Sequence, residues 1–247
     1  MKVIATYSIK GGVGKTATAV NLAHLAAAEG ARVLVWDLDP QGAATFYFRV
    51  KPKVKGGGKA LIKGKRELDD VVKGTDYDNL DLVPADFSYR NLDLVLDAAK
   101  KPTRRLAQLL RPMAREYDYV ILDCPPSISL ASEAVFQAAN ALLVPIIPTT
   151  LSLRTFDQLD DFLAAHPGRK KLKLLGFFSM VDRRKRLHRE LVTEVGSARP
   201  EVLDVQVPAS TDVERMGVHR APLFTFAPRS RSAAAYRDLW KATQARL

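Results

Sequence analysis

The sequence predicts an α/β protein, a mostly parallel, twisted sheet flanked by helices, in a single domain over residues 1–247. Short apolar runs alternate with stretches of helical periodicity along the chain, the pattern of strand–helix–strand units. The first apolar run passes at once into a glycine-rich turn and then a helical pattern. Two later runs end in carboxylates, at Asp37 to Asp39 and at Asp123.

The elements follow in order. Val3–Tyr7 reads as a strand. Residues 17–29 place Val20, Leu22, Ala23, Leu25, Ala26 and Ala27 at helical spacing, and Gly30 is a natural stop. His24 lies in that helix and reads as a packed or surface histidine. Arg32–Asp37 is a buried strand, and Leu80–Pro84 a short one. Asn91–Ala99 and Thr103–Glu116 are helical, with Pro112 as a kink or break. Tyr119–Asp123 is a strand, Ser129–Ala139 a helix and Ala141–Pro148 a strand. Leu153–Ala165 is an amphipathic helix, Leu172–Val181 a strand, and Val202–Val207 a last strand ending at Pro208. Ser230–Arg246 closes the chain as a helix with Tyr236, Leu239, Trp240 and Thr243 on one face.

The turn after the first strand is Lys10-Gly-Gly-Val-Gly-Lys-Thr16. It departs from G-x-x-x-x-G-K-[ST], because Ile9 stands where the first glycine belongs. Its physics is still that of a phosphate cradle. Gly11, Gly12 and Gly14 let the backbone curl so that successive N–H groups face an anion. The next helix adds the positive end of its dipole. Lys15 supplies a full charge to the β/γ-phosphates, and the Thr16 hydroxyl is placed to ligate Mg²⁺. Ligands of open α/β sheets sit beyond the carboxyl ends of strands, which brings Asp39 near the phosphates. Asp123 has the pattern of a carboxylate that holds Mg²⁺, here through water. Cys124 reads as a packed thiol, with no histidine near it in sequence.

A net charge of +11 points to a polyanionic partner, nucleic acid or an anionic membrane. One cysteine excludes an intrachain disulfide and a cysteine-rich zinc site. The expected location is cytoplasmic: there is no apolar leader run, and no apolar stretch approaches the roughly 20 residues of a membrane span. Residues 51–66 are basic, glycine-rich and free of acids, and read as a mobile surface loop, either a phosphate-contacting arm or merely solvated. A second basic concentration surrounds the Leu172–Val181 strand, with Arg169, Lys170, Lys171 and Lys173 before it. After it come Arg183, Arg184, Lys185, Arg186 and Arg189.

Taken together these residues resemble the ParA/MinD family of P-loop ATPases with a deviant Walker A motif. Lys10–Thr16 is similar to the signature loop, Asp37-Leu-Asp39-Pro-Gln-Gly42 to the second motif and Leu122-Asp-Cys-Pro-Pro126 to Walker B. Ser179–Arg184 and Pro228–Ser232 resemble late segments of the ParA branch. The resemblance implies ATP and Mg²⁺ as cofactors, with Gly11, Gly12, Val13, Gly14, Lys15, Thr16 and Ala17 around the phosphates and Pro208 near the adenine. It makes Lys10 the signature lysine that reaches a partner's phosphates across an ATP-dependent homodimer. Thr16 and, through water, Asp123 hold Mg²⁺, and Asp39 orients the attacking water. Arg184 matches a DNA-contacting arginine, and Arg183, Lys185, Arg186, Arg229 and Arg231 join it as candidate DNA contacts. The implied function is ATP-driven partitioning or positioning of a plasmid, chromosome or protein cluster on non-specific DNA. A ParB-like or cargo-adaptor protein stimulates hydrolysis, and the location is nucleoid-associated. Two departures, Ala43 in place of Asn and Glu214–Pro222 in place of Ser-Glu-Ala-Pro, bear on the partner interface and cargo.

The alternative is a MinD-like ATPase that cycles on a membrane. It needs an amphipathic C-terminal helix beyond the fold, whereas the last helix ends at Leu247 with a face composed for packing. The chain also lacks an N-terminal helix-turn-helix stretch, so sequence-specific operator binding is not expected. An iron–sulfur reductase needs two cysteine ligands per subunit, and this chain has one cysteine. A non-enzymatic scaffold has no use for Asp39, Asp123 and two loop lysines in register.

Overall fold

The computed structural model describes residues 1–165 and 172–247. Eight strands form one sheet: β1 (Lys2–Thr6), β2 (Val33–Asp37), β3 (Lys73–Gly74), β4 (Leu80–Val83), β5 (Tyr119–Asp123), β6 (Ala141–Ile146), β7 (Lys173–Val181) and β8 (Val202–Pro208). Their order is β3-β4-β2-β5-β1-β6-β7-β8, and every pairing is parallel except β3 with β4. The predicted mostly parallel sheet is therefore observed.

Alternation of side chains sorts the strands onto two cores. Val3, Ala5, Leu34, Trp36, Val120 and Leu122 face one side; Ile4, Val33, Val35 and Ile121 face the other. Both faces are buried, which is why these strands read as continuous apolar runs. Helices α1 (Lys15–Ala28) and α11 (Arg231–Arg246) cover the second face. On the first lie α4 (Leu92–Asp97), α5 (Arg105–Leu110), α6 (Leu130–Ala138) and α7 (Thr150–Ala165), with α8 (Arg186–Ala198) adding Val195. Tyr236, Leu239, Trp240 and Thr243 of α11 are all buried, as their spacing predicts. The helix over 103–116 breaks as expected, into α5 and a 3₁₀ turn that starts at Pro112. Among the described residues no helix is long and apolar enough to cross a membrane.

Residues 51–66 correct the expectation of a mobile surface loop. They contain a short helix, α3 (Gly57–Ile62), and bury Val54, Leu61 and Ile62 in the first core. Asp86 accepts the Val54 N–H at 2.9 Å, Ser88 Oγ accepts the Gly58 N–H at 2.9 Å, and Arg105 donates to the Ile62 carbonyl at 2.5 Å. Gly58 packs so closely that a Cβ there would lie 2.3 Å from the Tyr89 ring. The lysines of the segment stay outside. Short helices α2 (Ala43–Tyr47), α9 (Thr211–Glu214) and α10 (Met216–His219) complete the chain. Arg169, Lys170 and Lys171 lie outside the described residues.

Strand β1 sits between β5 and β6, and the chain runs outward from it in both directions. The loop that leaves its carboxyl end thus opens at the point where strand order reverses, the place where α/β sheets bind ligands.

Candidate nucleotide site and basic cleft

The phosphate loop joins β1 to α1 through Gly12 and Gly14, at φ 70° and 99°. Gly14 is the residue before α1 and leaves the first N–H groups of that helix open to an anion. A cavity of about 410 Å³ lies over the loop. Gly11 to Ala17, Asp39 and Pro208 all line it, so residues from three distant segments converge there. Tyr47, Pro126, Ser179, Met180 and Tyr236 line it too, and sequence reasoning assigned them no role.

Lys15 is buried, and its Nζ donates to the carbonyl of Lys10 at 3.2 Å, curling over the loop. Burial pushes its pKa down, and the charge of Asp123 opposes that. A phosphate in the cavity would add to that counter-charge. Lys10 is exposed and does not line this cavity.

The three strand-end carboxylates separate by role. Asp37 is buried and accepts from the Thr45 N–H at 2.8 Å and the Thr45 hydroxyl at 2.7 Å, fixing the start of α2. Burial raises its pKa to about 6, against those hydrogen bonds. Asp39 is only half-buried and faces the cavity, its Oδ1 accepting from the Gln41 N–H at 2.9 Å. Asp123 is fully buried behind the loop, with the Thr6 hydroxyl donating to Oδ1 at 3.4 Å. Desolvation, then the nearby Asp37 charge, pushes its carboxyl well up, while Thr16 and Lys15 pull it down. Among the described residues its Oδ2 has no hydrogen-bond partner. A buried, orphaned carboxylate oxygen beside the Thr16 hydroxyl suits the oxygen-rich, partly hydrated shell of Mg²⁺.

Cys124 is buried and its thiol is pushed up by desolvation, so it is packed rather than nucleophilic. His24 is stacked on Phe224 and set edge-on to Tyr77, the packed histidine expected.

A second cleft, of about 680 Å³, adjoins the first. Arg183, Arg184 and Arg231 line it, together with Asp182 and Asp238, and Pro208 and Ala209 belong to both walls. Lys185, Arg186 and Arg229 are exposed but do not line it. Arg184 forms a forked pair with Asp182, Nε to Oδ1 and Nη2 to Oδ2 each at 2.9 Å, and Arg186 pairs with Glu190 at 2.6 Å. Asp238, brought in from α11, is an acid that the local sequence around Arg184 did not reveal.

An AAA domain family model matches residues 1–173. The sporulation initiation inhibitor protein Soj of Bacillus subtilis is 31% identical over 245 residues, covering 97% of each chain. The chromosome partitioning protein ParA of Myxococcus xanthus is 30% identical over 240 residues, 95% of this chain and 85% of that one. A cobyrinic acid a,c-diamide synthase from Mycobacterium smegmatis, solved with ADP and magnesium, superposes with a TM-score of 0.80 at 27% identity, covering 99% of this chain and 94% of that one. With a phosphate loop, a facing carboxylate and a reversal-point cavity of this form, the chain belongs to the ParA/MinD family of P-loop ATPases.

Proposed function

We propose that this protein hydrolyses ATP as a nucleotide-closed homodimer, binds DNA without sequence preference while closed, and so positions a cargo with a partner that stimulates hydrolysis. The observation that carries the reading is the shared wall: Pro208 and Ala209 border both the nucleotide cavity and the cleft of Arg183, Arg184 and Arg231. A base seated against Pro208 then rests on a residue that also walls the arginine cleft.

In this reading Gly11 to Ala17 bind the phosphates through backbone N–H groups and the helix dipole, and Lys15 turns from the Lys10 carbonyl to the β/γ-phosphates. Thr16 and, through water, Asp123 hold Mg²⁺, which offsets phosphate charge when bound. Asp39, at the cavity edge, orients the attacking water. Lys10, outside its own cavity, serves the partner subunit's nucleotide. The relative solved with ADP and magnesium supports both cofactors.

The charges of the basic segment support the DNA role. Arg183, Arg184, Lys185 and Arg186 crowd the start of α8, whose first turn has no acid. Cations at a helix N-terminus oppose the dipole by about 0.3–1 kcal/mol each. Helix stability therefore does not explain them, whereas phosphate binding does. A dimer doubles the contacts of one weak face, so closure raises affinity with no new contact within a subunit. The expected location is cytoplasmic and nucleoid-associated. The apolar face of α11 is buried in the core, so that helix does not itself offer a face for the membrane-cycling alternative.

Sedimentation velocity with Asp39→Ala tests the cycle. The variant should bind ATP, turn it over poorly and persist as a dimer; a variant that hydrolyses at the parent rate removes Asp39 from its assigned role.

A further inference from the structure

Residues 49–55 and the edge strand β3 enclose an open cleft of about 550 Å³. Arg49, Lys51, Lys53, Lys55 and Lys73 line it, and among the described residues no carboxylate does. Strand β3 is six strand spacings from β7, about 29 Å across the sheet. The cleft is thus separate from the arginine surface that follows β7. It lies toward the same end of the sheet, since Lys73 pairs with Leu82 near the carboxyl end of β4.

The backbone builds this cleft. Arg49 adopts a left-handed φ of 59°, and its guanidinium is held by the carbonyls of His219 and Arg220 at 3.0 Å each and by Asp76 at 3.7 Å. Val54 is buried, and Asp86 fixes its N–H. With Val54 turned inward, Lys51, Lys53 and Lys55, spaced two apart, stay outside, and Lys73 joins them from β3. Among the described residues, none of these four ammonium groups has a hydrogen bond or ion pair.

An edge-strand lysine that discourages sheet-to-sheet pairing accounts for Lys73. It does not account for three further lysines gathered on a docked segment around the same hollow. Their mutual repulsion is relieved by an anion that enters. A flat bilayer meets only the rim of a concave cleft, and the apolar lining residues, Val50 and Val71, are not exposed for insertion. A phosphodiester chain fits such a hollow. Among the described residues no aromatic or amide side chain lines it, so it is not equipped to read bases.

We infer that this cleft is a second polyanion site, which takes the phosphate backbone of nucleic acid and is complete within one subunit. Unlike the arginine surface, it does not depend on nucleotide-driven closure.

Lysine-acetylation footprinting of the full chain, read by mass spectrometry, tests it with a short duplex in ADP and in ATP, and with phosphatidylglycerol vesicles in place of duplex. Lys51, Lys53, Lys55 and Lys73 should be protected by duplex in both nucleotide states, and Lys185 only in ATP. Protection of Lys185 alone overturns the cleft and leaves the proposed function standing. Protection of the cleft without Lys185 upholds the cleft and counts against the arginine surface. Vesicles protecting the cleft where duplex does not would also overturn it. As a second readout, combining Lys51→Ala, Lys53→Ala and Lys55→Ala should flatten the log–log salt slope of binding by about 2.7, at ~0.9 per lost contact, with ATP turnover unchanged. An unchanged slope rejects the inference.

Discussion

Ser179 donates its hydroxyl hydrogen to the carbonyl oxygen of Val13 across 2.9 Å, tying the end of β7 to the phosphate loop. Three residues further on, Asp182 grips Arg184. Between them Met180 holds a left-handed φ of 54°, where the register of β7 against β8 shifts. A non-glycine residue there stores on the order of 1 kcal/mol or more, so this strand end is a bent link between nucleotide loop and basic cleft. Ser179→Ala leaves a buried carbonyl unpaired, at about 1–3 kcal/mol. The variant should melt earlier and lose several-fold of its ATP-dependent DNA affinity, with ADP-state affinity unchanged. Calorimetry and anisotropy check both; full ATP enhancement in the variant would mean that the link carries no signal.

Lys15→Ala should abolish measurable nucleotide binding. Among the described residues the ammonium is the only full positive charge lining the cavity, and a charge-assisted bond contributes about 1.5–3 kcal/mol, or roughly 10- to 150-fold, before the anion's other losses are counted. Isothermal titration with ATP measures it. Affinity within twofold of the parent contradicts the assignment.

Lys10→Ala should spare nucleotide binding by the monomer yet impair ATP-dependent dimerisation and turnover. The side chain lies outside its own cavity, which already holds Lys15. Mixing Lys10→Ala with Asp39→Ala subunits separates the two roles. Dimerisation and turnover that survive Lys10→Ala intact are incompatible with action between subunits.

Asp182→Asn should raise DNA affinity several-fold and steepen the salt slope by about 0.9, because it frees Arg184 for one more phosphate. Changing the pH should not do the same. Hydrogen bonds from Arg184 hold the Asp182 carboxyl down to about 2. For a carboxyl lowered on folding, the pair is fully formed above the unfolded value near 4 and is lost only as pH falls through about 2. Binding measured between pH 5 and 9 should therefore show no step from this pair.

Leu61→Ala should destabilise the fold by about 2–5 kcal/mol, since it empties a fully buried site under residues 51–66. Urea unfolding tests it. A loss under 0.5 kcal/mol would be the behaviour of an undocked loop.

The central strands β1, β2, β5 and β6 were legible because each is an apolar run buried on both faces, and the phosphate loop was legible because backbone curl, helix start and lysine follow one another in sequence. The docking of residues 51–66 was not. Val54, Leu61 and Ile62 stand among lysines and glycines without a clear period, and Gly57 and Gly58 are poor helix formers. Their burial depends on Tyr89, Asp86 and Arg105, which are distant in sequence. Strand β3 spans two residues and carries no pattern at all. Tyr47, Ser179, Met180 and Tyr236 reach the nucleotide cavity only through tertiary packing; Ser179 and Met180 stood in a segment singled out for its resemblance, which was the one available signal. Asp37 and Asp39 share one motif, and only burial separates the structural carboxylate from the one at the cavity.

Fluorescence anisotropy with two unrelated duplexes, at several salt concentrations, in ATP and in ADP, for the parent and Arg184→Glu, tests the central claim most directly. The account predicts tighter binding in ATP, equal affinity for the two duplexes, and an Arg184→Glu variant that loses affinity for both alike while still binding ATP and dimerising. Equal affinity of the parent in ATP and ADP, or strong preference for one duplex, would contradict it.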